Sequence, residues 1–587
     1  MTLTADRVLQ HYLPLNPVEK KLLAYGATGA RFSIAKQRPV AGTAENTIRA
    51  SFLRFLILGG DDKNPIDLNG VHLEGAFIQG SLHLSSATIA TNVSLTHCLC
   101  DKDLRLENTV IDGWLDLSGS QFSGVEAQYL RVCSSFSLRG FHCQGTLCLI
   151  GAKVAGSLIF SGAQLDGLGK NALDADRCVI DANIVFENGF KSSGEVRLNS
   201  ATMKGLKCSD CTFTATTGIA LNADKAHVSG SVFLSTGFHS IGTVRFTAAR
   251  IDGQLSLKGS HHLDGNGGFS LIAQNMIVGK TLMLTHLEHP LQNAAFSGSH
   301  VRTLSDDSKT WGKELGLNGF TYDFLTTDSP LRAKDRIAWL DSQLPSSTGD
   351  DGLKGADSGF LPQPWLQLKH VFEKMGHFEE AREVGIAFEQ RLRKVGMVGH
   401  RTANWIWGTR WLGKVPHVLY GALTGYGYRP MRLLAWILGI WLFFTSVYWY
   451  AAIEHKVFAP SNPLVFQNEA YASCTPEYGE TWQRQHPAAE RPAEIGNWYT
   501  CKALRGEYTG FSPGAYSLDI LLSLVDLQQE KDWGPITPTP FPGYWDELKN
   551  LEWGHGIRLL IWLETLIGWG ISLLLVAIVS GLTRRKE

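Results

Sequence analysis

The sequence predicts a multidomain protein built from an N-terminal helical cap, a right-handed parallel β-solenoid, a helical hairpin region and a C-terminal two-span transmembrane module. Three observations lead to this prediction. Short alternating apolar units recur about every eleven residues, amphipathic helices follow them, and two long apolar segments lie near the C-terminus. The 587 residues have room for several such parts, because a domain typically has about 150 residues.

The repeat unit is a short strand with apolar residues at alternate positions. Units begin at Leu82, Val93, Leu104 and Leu115, and further units follow with insertions. Strands this short, separated by glycine turns, leave no room for helices, so each unit must bury its apolar side chains against the next. We therefore assign residues 67–295 to a β-solenoid with two units, or about 22 residues, per coil. Its crossovers are expected to be right-handed, as parallel strands prefer.

The segments on either side of the repeats are predicted to be helical. Residues 1–66 have apolar residues at helical spacing around Phe52 and would form a helical cap over the exposed strand edge of the solenoid. Residues 296–400 hold a linker and two amphipathic helices that meet at Gly376, similar to a tetratricopeptide hairpin. This hairpin is either a packing element or a docking face for a cytoplasmic protein partner.

Two apolar segments are each long enough to cross a bilayer as a helix. Residues 431–453 contain no interior charge, and residues 557–582 contain one carboxylate, Glu564. Aromatic and basic residues in 401–430 predict a segment along the membrane surface. Basic residues flank both spans on the side of the chain ends, which predicts cytoplasmic termini and an external connector over 454–556. These basic residues are Lys414, Arg429, Arg432, Arg584, Arg585 and Lys586.

Composition limits the choice of partners and compartments. Lys plus Arg (54) nearly balance Asp plus Glu (55), so we expect no nucleic-acid partner. The first residues show no basic segment followed by an apolar run, so we expect no cleavable signal peptide and a cytoplasmic solenoid. Eight of the ten cysteines lie between Cys98 and Cys211 and are expected there as reduced thiols.

The connector holds the other two cysteines, Cys474 and Cys501. An external connector lies in an oxidising space, where disulfide bonds form and persist. The two residues can therefore form a disulfide bond, on the opposite side of the membrane from the reduced solenoid.

Three carboxylates form the candidate ion path. The segment 515–528 predicts an amphipathic helix of about 21 Å, which is too short to span a bilayer and is typical of a re-entrant or interfacial segment. Asp519 and Asp526 would share one face of it, and around an oligomer axis they would form a ring that attracts cations; the alternative is a solvated face. Glu564 either lies in the membrane interface or faces a bundle interior or a water path.

No motif assigns a catalytic, cofactor-binding or metal-binding residue, so we expect neither enzyme activity nor a cofactor. Cys208 and Cys211 have CxxC spacing but lack a second ligand pair for zinc. His286 and His289 are not in the HExxH order. Residues 510–514 match GxSxG, but a proline follows the serine and no α/β pattern surrounds it.

Segments along the whole chain resemble a family of bacterial membrane-anchored, pentapeptide-repeat-like β-solenoid proteins, sometimes labelled membrane-associated oxidoreductases. The resemblance lies in IRASFLRFLILGG at 48–60, the GxLxL repeats, LNGFTYDFL at 317–325, PQPWLQL at 362–368, LTGYGYRP at 423–430 and YSLDILLSLVDLQQEKDW at 516–533. It implies a bacterial inner-membrane location and supplies no established catalytic residue. The order span, short helix, span is also similar to the pore modules of ion channels, without their TVGYG-type filter.

These observations lead to two hypotheses for function. In the first, a cytoplasmic β-solenoid senses or binds a partner and controls a two-span, pore-forming membrane module, which must be a homo-oligomer because two spans cannot enclose a water path. In the alternative, the protein is a membrane-tethered interaction scaffold without transport. In both, the expected partners are the lipid bilayer and a cytoplasmic protein bound through the solenoid or the hairpin.

Overall fold

The computed structural model describes residues 8–312, 314–343, 360–395, 397–398, 409–522, 525–537 and 552–580, with the backbone alone at 216–217, 409–413 and 579. The chain divides into two compact units, Met1–Arg391 and Leu392–Glu587. The first unit is a parallel β-solenoid with helices at its ends, and the second contains the two long apolar helices.

The solenoid has about 11 turns over residues 71–325. Among the described residues its strands form two parallel sheets. The strands of the first sheet are Phe32–Ser33, Val71–Glu74, Thr88–Ile89, Val93–Thr96, Val110–Ile111, Leu115–Asp116, Arg131–Val132, Phe136–Ser137, Lys153–Val154, Leu158–Ile159, Val179–Phe186, Thr202–Cys208, His227–Val228, Val232–Leu234, Arg250–Ile251, Leu255–Ser256, Ile277–Leu284, His300–Asp306 and Thr321–Leu325. The strands of the second sheet are Thr47–Arg49, Phe77–Gln79, Leu82–His83, Leu99–Cys100, Leu104–Arg105, Gln121–Phe122, Val125–Glu126, His142–Gln144, Leu147–Cys148, Gln164–Asp174, Phe190–Arg197, Cys211–Asn222, Phe238–Arg245, His262–Asp264, Leu271–Ile272, Asn293–Ala295 and Glu314–Gly316.

The predicted register of the repeat is confirmed. Leu82 pairs with Leu104, and Val93 pairs with Leu115, so each strand lies beside the second unit along the chain and one coil contains two units. All four of these side chains are buried. Their side chains stack into apolar ladders along the interior, which is how a coil that buries little by itself becomes stable.

The N-terminal region contributes strands to the solenoid in addition to the helical cap predicted for residues 1–66. The helix Ala50–Ile57 is buried over most of its length, and the helix Pro17–Gly26 begins with a capping box at Asn16. Two short strands of this region, Phe32–Ser33 and Thr47–Arg49, pair in parallel with the first solenoid strands. A 3-10 helix, Leu9–Tyr12, precedes them, and a small antiparallel hairpin joins Gly60–Asp61 to Asn64–Pro65.

The solenoid also extends beyond the predicted boundary at residue 295. Strands His300–Asp306, Glu314–Gly316 and Thr321–Leu325 continue the two sheets in register, with Val301 and Leu304 buried. The sequence pattern weakens here because inward positions near the end of the solenoid are polar, among them Ser305 and Asp306. Asp306 pairs with the helix that follows.

A buried ion pair occupies that end of the solenoid. The guanidinium of Arg336, in the helix Ala333–Asp341, donates to both carboxylate oxygens of Asp306, each at 2.7 Å. Arg336 is fully buried, and its guanidinium lies beside the rings of Trp311 and Trp339, 5.4 and 5.3 Å from their centroids. The pairing satisfies a charge that the coil interior could not otherwise accommodate.

The predicted helical hairpin covers the last strand of the solenoid. It consists of Pro362–Lys374 and Phe378–Lys394. Gln363 accepts the backbone N–H of Gly319 at 2.8 Å, and Gln367 donates to the carbonyl of Tyr322 at 2.7 Å. The first helix of the hairpin therefore has a packing role, because it pairs polar groups that a terminal coil would leave exposed. Docking of a partner on the hairpin stays a prediction.

The second unit contains two helices that are long and apolar enough to span a membrane, Met431–Ile453 and Trp553–Ile578. Its other helices are Thr409–Thr424, Pro463–Gln467, Pro476–Gln485, Pro513–Leu521, Gln529–Asp532 and the 3-10 helix Glu469–Cys474. Strands Phe458–Pro460 and Trp533–Pro535 pair in antiparallel fashion. Residues 401–408 of the predicted surface segment, and the basic residues Arg584, Arg585 and Lys586, lie outside the described residues.

Candidate functional site

The candidate site lies in the second unit, where a short helix packs between the two long ones. The short helix, Pro513–Leu521, begins at Ser512, whose hydroxyl accepts the N–H of Ala515. Trp441 of the first long helix donates to the carbonyl of Gly514 at 2.8 Å. At the other end, the carbonyl oxygen of Leu521 fills the space that a side chain at Gly568 of the second long helix would need.

Glu564 joins these three helices. Its carboxylate is fully buried and accepts two hydrogen bonds, one from the hydroxyl of Tyr448 at 2.5 Å and one from the hydroxyl of Ser517 at 2.6 Å. Tyr448 belongs to the first long helix and Ser517 to the short helix, so each helix contributes one member. Within the described residues no lysine or arginine forms a salt bridge with Glu564.

The sequence identified Glu564 but neither of its partners. Tyr448 stands among other aromatic residues at the end of the first span, a pattern that is typical of a belt at the membrane interface. A signal was nevertheless present, because a carboxylate inside an apolar helix requires hydrogen-bond donors from neighbouring elements. Ser517 carries no such signal, since a serine is common near the start of any helix.

Asp519 does not lie on a solvated face, which was one of the two alternatives for it. Its carboxylate is buried, and its two oxygens accept the backbone N–H groups of Leu527 at 2.7 Å and Glu530 at 3.1 Å. These bonds fix the segment that follows the short helix against the helix itself. A structural role therefore accounts for both oxygens of the carboxylate.

The predicted helix over 515–528 is shorter in the structure, where the part of this segment that bonds to the carboxylate of Asp519 is no longer helical. The helix ends at Leu521, and Gln528 has a left-handed backbone with φ of 60° that a continuous helix does not contain. Asp526 consequently lies outside the helix, exposed, with its carboxylate bonded to Lys531 at 2.5 Å and to the N–H of Gln528 at 3.0 Å. The two aspartates do not share a helix face, and residues 523–524 lie outside the described residues.

A disulfide bond joins Cys474 to Cys501. Both residues belong to an apolar cluster with buried aromatic side chains, among them Trp498 and Trp533, around the end of the first long helix. The bond closes a segment of the connector with a sequence separation of 27. It thereby fixes the structured connector next to the site that contains Glu564.

The other motifs weighed in the sequence do not form sites among the described residues. Cys208 and Cys211 are both free and buried, and burial raises the pKa of the Cys208 thiol well above its ordinary value. No group of three or more histidine, cysteine, aspartate or glutamate side chains is arranged to hold a metal ion in the described part of the chain.

The carboxyl group of Glu564 has only hydroxyl partners, which can bond to its ionised form as well as to its protonated form. The group can therefore take up and release a proton, or present a negative charge. No family model, no curated protein and no solved structure matches the chain.

Proposed function

We propose that this membrane-associated protein uses its second unit as a pore-forming module, assembled from several copies of the chain, and its β-solenoid as an interaction domain that controls the module. The coarse part of this statement rests on the two helices that are long and apolar enough to span a membrane. The finer part, a pore controlled by the solenoid, rests on the polar group that lies between these two helices.

The observation that carries the proposal is the buried carboxylate of Glu564, held by Tyr448 and Ser517. Burying a carboxylate inside an apolar helix is costly, and such residues are typical of ion and proton pathways. The short helix that enters between two long helices and returns without crossing supports the same interpretation, because re-entrant segments occur where they line a protein interior or a water-filled cavity.

An oligomer is part of the proposal for a physical reason. Two membrane-spanning helices and one short helix cannot surround a water path, since their remaining faces meet lipid. Several copies placed around an axis would enclose one and would bring repeated Glu564 side chains into a single module.

The proposed topology follows the charge bias of the sequence. Lys414 and Arg429 precede the first long helix and Arg432 lies in its first turn, and basic residues favour the cytoplasmic side of a bacterial inner membrane. The solenoid would then lie in the cytoplasm and the disulfide of the connector outside it.

A second candidate, a membrane-tethered scaffold without transport, is favoured by one specific observation. Asp519 is engaged by backbone N–H groups and Asp526 by Lys531, so neither carboxylate is free to line a path. In this case Glu564 serves only to hold the three helices together.

Flux through liposomes containing the purified full-length protein separates the two candidates. The pore proposal expects flux of protons or alkali cations above that of empty liposomes, and an altered flux for Glu564→Gln at equal protein incorporation. Glu469→Gln, an exposed carboxylate of the connector, is the matched control. Absence of flux above that of empty liposomes would support the scaffold. Flux that is present but equal in both variants would contradict a role of Glu564 in the path.

A further inference from the structure

The connector contains a cavity of about 690 Å³ that the proposed function does not use. Its walls include Ile453, Lys456, Glu480, Arg484, Arg491 and Ile495. The volume lies within the range of small-molecule sites, roughly 300 to 1,000 Å³. The cavity therefore has room for a ligand larger than a single inorganic anion.

The charges around the cavity favour a negatively charged ligand. Three cations and one carboxylate line it, and the carboxylate, Glu480, is paired with Arg484 at 3.3 Å on the exposed rim. The other two cations, Lys456 and Arg491, are half-buried, and neither forms a salt bridge with a carboxylate of the described residues. Half-buried cations without a partner favour an anion, because its charge offsets the lost hydration.

The cavity is part of a fixed structure. The guanidinium of Arg491 lies against the backbone at Gly479, where glycine leaves space for it. Asn497 donates to the carbonyl of Ala452 at 2.9 Å, which ties the cavity wall to the end of the first long helix. The disulfide between Cys474 and Cys501 closes the segment that supplies both arginines. The guanidinium of Arg491 is therefore held in place before any ligand arrives.

The position of the cavity identifies the source of the anion. Ile453, the last residue of the first long helix, forms part of its wall, so in a bilayer the cavity would open at the boundary between hydrocarbon and headgroups. Isoleucine side chains there suit the apolar part of an amphiphile, while the guanidinium fork suits a phosphate, which it can contact through two parallel hydrogen bonds.

We propose that this cavity binds the phosphate of an anionic phospholipid headgroup, with Arg491 and Lys456 as its ligands. The proposal rests on the membrane placement of the two long helices, but it does not require that the module conducts ions. A site of this kind would fix the connector against the membrane surface and so hold the short helix at its depth between the two long ones.

Binding of phosphatidylglycerol to the purified full-length protein in detergent tests the proposal, with phosphatidylcholine as the zwitterionic comparison, whose choline group cancels the charge of its phosphate. We expect binding of phosphatidylglycerol with little binding of phosphatidylcholine, and an affinity roughly tenfold lower for Arg491→Gln. Arg505→Gln removes the same charge from an exposed arginine of the same connector and should leave binding unchanged. Native mass spectrometry measures both the retained lipid and its stoichiometry.

A second variant and a soluble competitor complete the test. Lys456 has a left-handed backbone with φ of 53°, so Lys456→Asn keeps a residue that tolerates this conformation while removing the charge. It should weaken binding as Arg491→Gln does. Equal binding of the two lipids, or equal losses in Arg505→Gln and both cavity variants, would overturn the proposal. Displacement of the lipid by low concentrations of glycerol phosphate would overturn the lipid as the source and favour a soluble anion.

Discussion

The hydroxyl of Tyr448 lies 2.5 Å from a carboxylate oxygen of Glu564, across 116 positions of sequence, and joins the two helices that are apolar enough to span a membrane. Ser517 completes the group from the short helix. Because apolar helices in a membrane gain little from burying apolar surface against one another, a buried polar contact of this kind specifies how they pack. The same group that supports the pore proposal is therefore also a structural link.

We expect Tyr448→Phe to destabilise the second unit by about 1.5 to 3 kcal/mol, because it removes a hydrogen bond to a buried carboxylate without changing the shape of the ring. Thermal unfolding followed by tryptophan fluorescence measures this unit selectively, since 13 of the 17 tryptophans lie after residue 400. Combining Tyr448→Phe with Glu564→Gln tests whether the two side chains act together. Additive losses would mean that they do not interact.

The repeat register predicts opposite outcomes at two adjacent positions of one strand. Leu104 is buried between Leu82 and Val125 of the neighbouring coils, whereas Arg105 is exposed and bonded to Asp103 at 2.7 Å. Leu104→Asn places an unpaired amide in an apolar interior and should cost about 3 kcal/mol. Arg105→Asn should cost less than about 1 kcal/mol, because an exposed ion pair contributes little.

Hydrogen exchange in the paired strands measures this difference locally. Leu104→Asn should lower the protection of amides in Leu82–His83 and Val125–Glu126 on the order of 100-fold, while Arg105→Asn leaves it close to that of the original protein. Similar losses of protection in both variants would contradict the register.

Cysteine chemistry gives a prediction for both units. Burial raises the pKa of Cys98 and of Cys178 to about 12, and thiolates are the reactive form, so buried cysteines should react slowly. Cys133 is the exposed free cysteine of the described chain. We therefore expect one rapidly alkylated thiol in the native protein, absent from Cys133→Ser.

The disulfide is tested in the same experiment after denaturation. Without reductant eight thiols should be alkylated, and with reductant all ten, because Cys474 and Cys501 are then released. Ten thiols without reductant would contradict the disulfide, and several rapidly reacting thiols in the native protein would contradict the burial of the solenoid cysteines.

The parts of the fold that the sequence could predict are those set by local periodicity. Alternation placed Leu82 and Leu104 in the interior, and hydropathy located both long helices. The parts of the fold that the sequence could not predict depend on contacts between distant residues. Arg336 and Asp306 are 30 positions apart, and either one alone has the pattern of a surface charge. Their bidentate pairing exists only once the last coil is in place.

The corners of the coils show a second limit of sequence patterns. Glycine was the expected turn residue, yet one corner is occupied in successive coils by Ser86, Asn108 and Tyr129, all with left-handed backbone. The N–H of each bonds to a carbonyl of the next coil, as from Ser86 to Glu107 at 2.7 Å. These repeated bonds offset the strain of the left-handed conformation, so the residue type is less restricted than in an isolated turn.

The candidate site was predictable in part for the same reason. Glu564 stands out as a lone carboxylate in an apolar segment, but the end of the short helix at Leu521 depends on the bonds that Asp519 makes to residues further along the chain. Local periodicity alone extends that helix to residue 528, because the apolar pattern continues.

A cluster of histidines on the solenoid leads us to expect that the stability of that region depends on pH. The ring of His239 lies 5.8 Å from that of His261 and 5.6 Å from that of His262, between centroids, and His289 lies 4.8 Å from His262. Burial, and then the neighbouring His262 and His261, lower the pKa of His239 below its ordinary value of 6.5. Carboxylates face the cluster as well: Asp264 lies near His262, and Glu288 bonds to His261.

The sign of the effect follows from the depressed pKa of His239. Near and below pH 6.5 the unfolded chain binds a proton at this residue more readily than the folded chain, so folding loses stability as the pH falls from 6.5 through the lower folded pKa. Protection factors of the amides in Phe238–Arg245, corrected for the intrinsic pH dependence of exchange, should therefore be constant above about pH 7 and decrease toward pH 5. His239→Gln should flatten this decrease, whereas His83→Gln, an exposed histidine of another coil, should not. An unchanged pH profile in His239→Gln would show that the proton is taken up elsewhere in the cluster.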